Sequence, residues 1–486
     1  SYRGNLWLGI PLFAFGFGMQ IMNNHVQMSY YLMMALAPVF IIYLTETIRN
    51  KNWKQFILAN VLLAAAGLLG LTASSTTLLT TREYVGQTMR GGSVLSTSNT
   101  GNEANKSGLE WDYATAWSNG WLDLAATIIP GVAGGASGEK VKGNSALRDE
   151  LRKQRIPVQP NMRVPTYWGE LPFTGGPFYF GIVIVFFFIL GLFLVKEPIK
   201  WWFGISTLLL CLLSLGKHFE IFNKILFDYL PYYNKFRAPS SILTIAAVLC
   251  TMFSAYTLSK LYKRELEQSG LLRGILYSGG ILAGICLFFW MLGPGFFDMT
   301  RGQQTEETAI LVGLRKAMMS SDSMRGLVLV LLAAAATWLY QKNTLKPGIF
   351  LAAAGVLILF DLFTINQRYI DHSDFVKPSA KSATHAPRPV DSQIMEDKAP
   401  GYRVLDNTID AYNNSMPSYF HHMVGGYHPG KLRRYQDLID RCIDPERSKL
   451  GSILQSFTGN PADSAFVSAM NSLQVINMLN TKYLIL

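Results

Sequence analysis

Charge is what this sequence is short of. Asp, Glu, Lys and Arg make up 15% of its 486 residues, against about a quarter in soluble globular chains. So few charges cannot solvate the surface of a large multidomain protein, so the ordinary soluble class is excluded. Cysteine is scarce as well. Cys211, Cys250 and Cys286 sit inside apolar runs and read as packing residues, while Cys442 is solitary. That pattern supports neither a disulfide framework nor a metal site. A nucleophile elbow, a P-loop and a dinucleotide fingerprint are all missing. No cofactor motif is present, and a divalent-metal requirement is left open. Lys and Arg, 43 in all, exceed the 32 Asp and Glu for a net +11. There is no basic tail or nucleic-acid-binding motif, so nucleic acid is not an expected partner. The chain opens at Ser1 without an initiator Met and stops at "KYLIL", which reads as a fragment or a processed chain.

Apolar runs are what the chain has in abundance. Hydrophobic residues reach 50% and mean hydropathy is +0.20. A bilayer-spanning helix needs ~20 mostly apolar residues, and about nine such runs occur. They are Leu6–Met22, Ser29–Tyr43, Trp53–Ala73, Pro177–Val195, Trp201–Leu215, Pro239–Leu258, Leu272–Leu292, Gly326–Tyr340 and Gly348–Ile365. The expected fold class is therefore mainly α, a polytopic membrane protein. Residues 1–73 hold the first three spans and 74–176 form a long loop. Residues 177–365 hold six more spans, with an interfacial helix over 218–230, and 366–486 form a mixed α/β segment. Arg49, Lys51, Lys54, Lys196, Lys200, Lys260, Lys263, Arg264, Arg273, Lys342 and Lys346 all fall in short loops on one face. The positive-inside rule makes that face cytoplasmic. The 74–176 loop and the C-terminal segment are then extracytoplasmic. No ionisable residue falls near the middle of an expected span, Asp361 coming closest. That weighs against an ion-coupled transporter.

Polar and aromatic residues crowd the expected outer face. In the tight turn "NNHVQMSYY", Tyr30 and Tyr31 suit an interfacial belt. His25 is placed either as part of a polar hairpin or to orient a phosphate or sugar hydroxyl. In the long loop, Trp111, Trp117, Trp121 and Trp168 stand beside Glu110, Asp112, Asp123 and Glu170. Any single Trp is better explained by a membrane-surface belt with solvated acids, but aromatic faces next to carboxylates suit carbohydrate, and the cluster as a whole points to a sugar or lipid-sugar site. Arg90, followed by glycines, offers a phosphate contact. The Gly/Ser/Asn-rich stretch Ser93–Ser107 reads as mobile. "YYNKFRAPSS" puts Lys235 and Arg237 just before Pro239, which is favoured at a helix start. A guanidinium beside a helix N-terminus is an anion site, and the alternative is snorkelling to lipid phosphate. In the tail, "GYRVLD" and "TKYLIL" read as strands, while 452–457 and 463–480 read as helices. His421, His422 and His428 lie in a Gly-rich loop that reads as docking on the membrane part, since no acid or Cys stands at ligand spacing for a metal.

Taken together, "NNHVQMSYY", "REYVGQTMRGGS", "SGLEWDYATAWSNG", "YWGELPFTGGPFYFG", "LPYYNKFRAPSS" and "LNTKYLIL" resemble the YfhO family of bacterial multispanning membrane proteins, Bacteroidetes type. The resemblance covers nearly the whole chain. It implies a branch of the GT-C glycosyltransferases, moving a sugar from a polyprenyl-phosphate donor to an envelope glycopolymer or glycoprotein outside the cytoplasmic membrane. The roles this implies are donor-phosphate binding by Arg237, Lys235, Arg90 and His25, and sugar contacts by Trp111, Trp117 and Glu170. Asp112 and Glu110 are the available catalytic carboxylates. GT-C enzymes carry their catalytic acid after the first span, which would place it ahead of Ser1. A flippase for lipid-linked sugar and a non-catalytic assembly factor for envelope polymers are the competing readings.

Overall fold

The computed structural model describes residues 6–91, 108–266, 268–303, 305–456 and 464–486; the Ser93–Ser107 stretch expected to be mobile lies outside them. Helices dominate. Among the described residues, six are long and apolar enough to cross a membrane: Val26–Asn50, Trp53–Thr72, Pro239–Tyr262, Gly270–Phe296, Glu306–Gln341 and Pro347–Tyr369. Two more expected spans form as shorter apolar helices, Leu6–Met22 with 17 residues and Ile182–Leu194 with 13. The remaining expected span, Trp201–Leu215, forms as the helix Ile199–Ser214, one arm of a pair bent by 113°. All the expected apolar runs are thus helical, but they are not equally long.

Burial on these helices is one-sided in the way a bilayer permits. On Pro347–Tyr369 the side chains of Phe350, Ala354, Asp361 and Ile365 are buried, a stripe set by the helical period. Leu359, Phe360 and Phe363 are exposed on the other side. In water so apolar a face would be a liability; against lipid tails it costs nothing.

The Glu306–Gln341 helix begins well before Gly326. The Thr305 hydroxyl accepts from the Thr308 amide at 3.1 Å, and Glu306 and Glu307 occupy the first turn, where the helix dipole favours acids. At 1.5 Å per residue its 36 residues run ~54 Å, beyond a hydrocarbon core of ~30 Å. The extension brings Asp322 and Arg325 into the helix packed against Pro347–Tyr369. Arg325 pairs with Asp361 at 2.7 Å and Arg368 with Asp322 at 2.6 Å. The expected span begins at Gly326, which leaves Asp322 and Arg325 outside it; the structure places both in the same continuous helix. Asp361 also accepts from the Tyr179 hydroxyl at 2.6 Å and the Val183 amide at 3.2 Å, so it caps the Ile182–Leu194 helix from a neighbouring one.

Side-chain bonds to backbone carbonyls recur between helices elsewhere in the bundle. Pro38 interrupts the Val26–Asn50 ladder. One turn earlier, the Ala35 carbonyl accepts from both Trp202 Nε1 and Ser206 Oγ, each at 2.7 Å. The carbonyl that Pro38 deprives of its amide donor is that of Met34, one residue before Ala35; the Ala35 bonds tie the neighbouring Ile199–Ser214 helix to this one beside the proline.

The sharp bend sits at Gly216, whose φ is +45° and where a Cβ would meet Ser118 Oγ at 2.0 Å. After it comes the Glu220–Tyr229 helix, close to the expected interfacial helix 218–230. Ile221, Ile225 and Tyr229 are exposed on it. Asn223 is buried on it, its amide donating to the Leu212 and Phe219 carbonyls at 3.1 Å each.

The chain divides into two compact units, one of residues 1–75 and 110–372, the other of 76–109 and 373–486. The long 74–176 stretch is thus shared between them. In the second unit, strands Arg403–Asp406 and Thr481–Ile485 pair in parallel. Helices between them supply the crossover that parallel strands need. Leu405, Val424, Ile443, Leu450, Leu473 and Ile476 form its core.

Candidate functional site

The segment Trp111–Trp117 is stitched to the approach of the Pro239–Tyr262 span. The Ala238 amide donates to the Ala114 carbonyl at 3.0 Å and the Ser240 amide to the Trp117 carbonyl at 3.1 Å. Further along, the Asn119 amide donates to the Ser214 carbonyl at 3.0 Å, and the Lys217 amide to Ser118 Oγ at 3.2 Å. The acid–aromatic segment therefore lies folded against two helix ends.

This stitching brings Arg237 onto Tyr113. The guanidinium carbon stands 4.4 Å from the ring centroid, and Nη1 donates to the Tyr113 hydroxyl at 3.1 Å. Such a cation–π contact is worth about 0.5–2 kcal/mol. Arg237 Nε is buried and has no hydrogen-bond acceptor. The Arg237 carbonyl accepts from Gln27 Nε2 at 2.6 Å, tying the first turn of the chain to this segment. The backbone of the helix start, by contrast, has its donors occupied. Pro239 has none, Ser240 donates to Trp117, and Ser241 donates to Ala238. The helix N-terminus is therefore not the anion site expected; the side chains of Arg237 and Lys235 remain as the cations of this segment. Lys235 is half-buried, and burial pulls its ammonium below the usual lysine range.

The other expected residues are not all brought together. Glu110 and Asp112 are exposed, Asp112 beside Tyr113 in sequence. Trp111 meets Phe227 edge-on at 5.2 Å with the Lys224 ammonium 5.0 Å from its ring. Trp117 meets Phe173 at 4.5 Å and lines a cleft of about 330 Å³ with Asn119, Tyr167, Ser240 and Ser241. Glu170 belongs to a different cavity. His25 caps the Val26–Asn50 helix, its Nδ1 accepting from the Met28 amide at 3.4 Å, which is the polar-hairpin alternative. Arg90 lies in the second unit, where its Nη1 donates to the Pro429 carbonyl at 3.1 Å. The carboxylate of Asp123 is buried and accepts from the Gly120 amide, the Glu170 amide and the Tyr167 hydroxyl. Burial, with that carboxylate beside it, holds the Tyr167 phenol well above its usual range.

Tyr113, Asn119 and His218 were not expected at the site. Tyr113 had a visible signal, an aromatic within "EWDYATAW". Asn119 and His218 had none, because their positions depend on the bend at Gly216. Among the described residues, no three His, Cys, Asp or Glu side chains converge to hold a metal ion. No protein-family model, curated protein or solved structure matches the chain.

Proposed function

We propose that the chain is a GT-C-type glycosyltransferase of the YfhO kind in a bacterial cytoplasmic membrane. It would move a sugar from a polyprenyl-phosphate donor to an envelope acceptor on the outer side. The observation that carries this reading is Arg237: a guanidinium braced on Tyr113, with a buried N–H lacking an acceptor, immediately before an apolar span. A lipid phosphate brings its acceptor oxygens to that depth while its polyprenyl tail enters the bilayer. Inverting transfer needs a base for the acceptor hydroxyl and stabilisation of the departing phosphate. Arg237 and Lys235 serve the phosphate, Trp117 in its cleft serves the sugar, and Asp112 is the carboxylate next to Tyr113.

The flippase reading gains one observation, the charged pairs between the last two long helices. Each carboxylate there is already bonded to an arginine, which fits a fixed structural tie better than a transport path.

The test is transfer from polyprenyl-phosphate sugars by the purified full-length protein, read by mass spectrometry as released lipid phosphate. Arg237→Ala should abolish transfer in a folded protein, and Arg237→Lys should retain part of it, because an ammonium cannot reproduce guanidinium geometry. A charge-assisted bond is worth about 1.5–3 kcal/mol, so donor affinity should fall roughly tenfold to a hundredfold in Arg237→Ala. Undiminished donor binding by Arg237→Ala would leave Arg237 as a lipid-surface anchor and remove the basis of this reading.

A further inference from the structure

We infer that the cavity bounded by Trp121, Trp168, Glu170, His218, Asp298 and Arg301, about 400 Å³ in volume, is a binding site for a neutral carbohydrate. Small-molecule sites span roughly 300–1,000 Å³, so its size is suitable. The chemistry of its walls is more specific. Two indoles supply flat apolar faces, which suit the C–H faces of a pyranose. Trp121 is 58% exposed and steadied by Phe219 at 6.0 Å, a ring available for stacking. Trp168 is buried against Phe297, and its indole N–H has no acceptor.

The imidazole of His218 is oriented by the backbone. Its Nδ1 lies 2.9 Å from the Asn119 carbonyl. A carbonyl only accepts, so Nδ1 carries a proton and Nε2 is left to face the cavity's other polar groups. Nε2 is 3.7 Å from Glu170 Oε2, too far for a direct hydrogen bond. Two polar groups facing each other at that separation are bridged by groups that both donate and accept, as neighbouring sugar hydroxyls do. Glu170 is set there by the backbone: a Cβ on Gly120 would lie 2.5 Å from its Cγ, and its amide is held by Asp123 at 3.1 Å. Arg301 donates to the Gly169 carbonyl at 3.3 Å. Against Arg301 the two carboxylates of Glu170 and Asp298 leave one negative charge in excess before His218 is counted, so the cavity disfavours anions. A neutral polyol fits where a phosphate or an acidic peptide does not.

This site is separate from the Arg237 region, and its ligand needs no transfer chemistry. Titration calorimetry of the detergent-solubilised full-length protein with maltotriose, cellotriose and chitotriose should give saturable binding to at least one, without any lipid donor. Trp121→Ala and Glu170→Gln should each weaken that binding tenfold or more while the thermal midpoint stays within a few degrees of wild type. No saturable heat with any of the three sugars overturns the inference, and so does binding indifferent to both substitutions. Binding that persists in a protein inactive for transfer supports this site and counts against the glycosyltransferase reading alone.

Discussion

Replacing Arg368 with Ala is the perturbation that most directly probes how this bundle is held. Arg368 meets Asp322 through two parallel bonds, Nη1 to Oδ2 at 2.8 Å and Nη2 to Oδ1 at 2.6 Å. The Asp322 side chain is 1% exposed and the Arg368 side chain 13%, so neither charge has water to fall back on. Removing the arginine leaves a carboxylate stranded beside Gly131 and the Met318 backbone. Breaking one partner of a buried pair costs about 3–5 kcal/mol. At about 1.4 kcal/mol per factor of ten, the unfolding equilibrium should shift roughly a hundredfold to a few thousandfold. Removing both charges, as in Asp322→Leu with Arg368→Met, should recover most of that loss, because the penalty lies in the unpaired charge and not in the missing attraction. The buried thiols Cys250 and Cys286 make the assay direct: a thiol-reactive dye in detergent reports their exposure as temperature rises. A single variant that melts with wild type, or a double variant no better than the single, would refute the account of this pair as an interdependent tie.

Three other outcomes follow from the same geometry. Gly216→Ala should lower the thermal midpoint by several degrees, since its left-handed backbone and the Ser118 Oγ contact leave no room for a methyl. In the second unit, Arg388 holds the Asp391 carboxyl down to about 2, below the ~3.9 of an unfolded aspartate. That stabilisation is complete above about pH 4 and is lost as pH falls towards 2. Pepsin cleavage near residues 389–406 should therefore rise across that window, and Arg388→Gln should move the rise to higher pH. If the charged short loops are cytoplasmic, then in a cysteine-free background a cysteine at Ser382 should label with an impermeant reagent in intact cells and one at Asn343 should not; the reverse pattern would invert the topology.

The expected helices were legible because the signal that makes them is local. A run of apolar residues near membrane length is helical in lipid whatever its neighbours do, since its backbone must bond to itself. The strands "RVLD" and "TKYLI" were legible for a similar reason, alternation over a few residues. A closer local reading of Thr305, Glu306 and Glu307 shows where the longest helix begins. What no local pattern contains is which residues meet. Arg325 and Asp361 pair across 36 positions, and Arg237 finds Tyr113 across 124. His218 finds the Asn119 carbonyl across 99. Those meetings follow from the bend at Gly216 and from how the helices stack. Composition alone told that aromatic and acidic residues gather in the 110–170 stretch. Only the tertiary structure separated them into distinct cavities, spent the helix N-terminus on backbone bonds, and left Arg237 and the Trp168 indole with donors unmatched. The physical reason is that propensity and hydropathy act within a few residues, whereas a site is made by contacts between segments whose order in the chain says nothing of their distance.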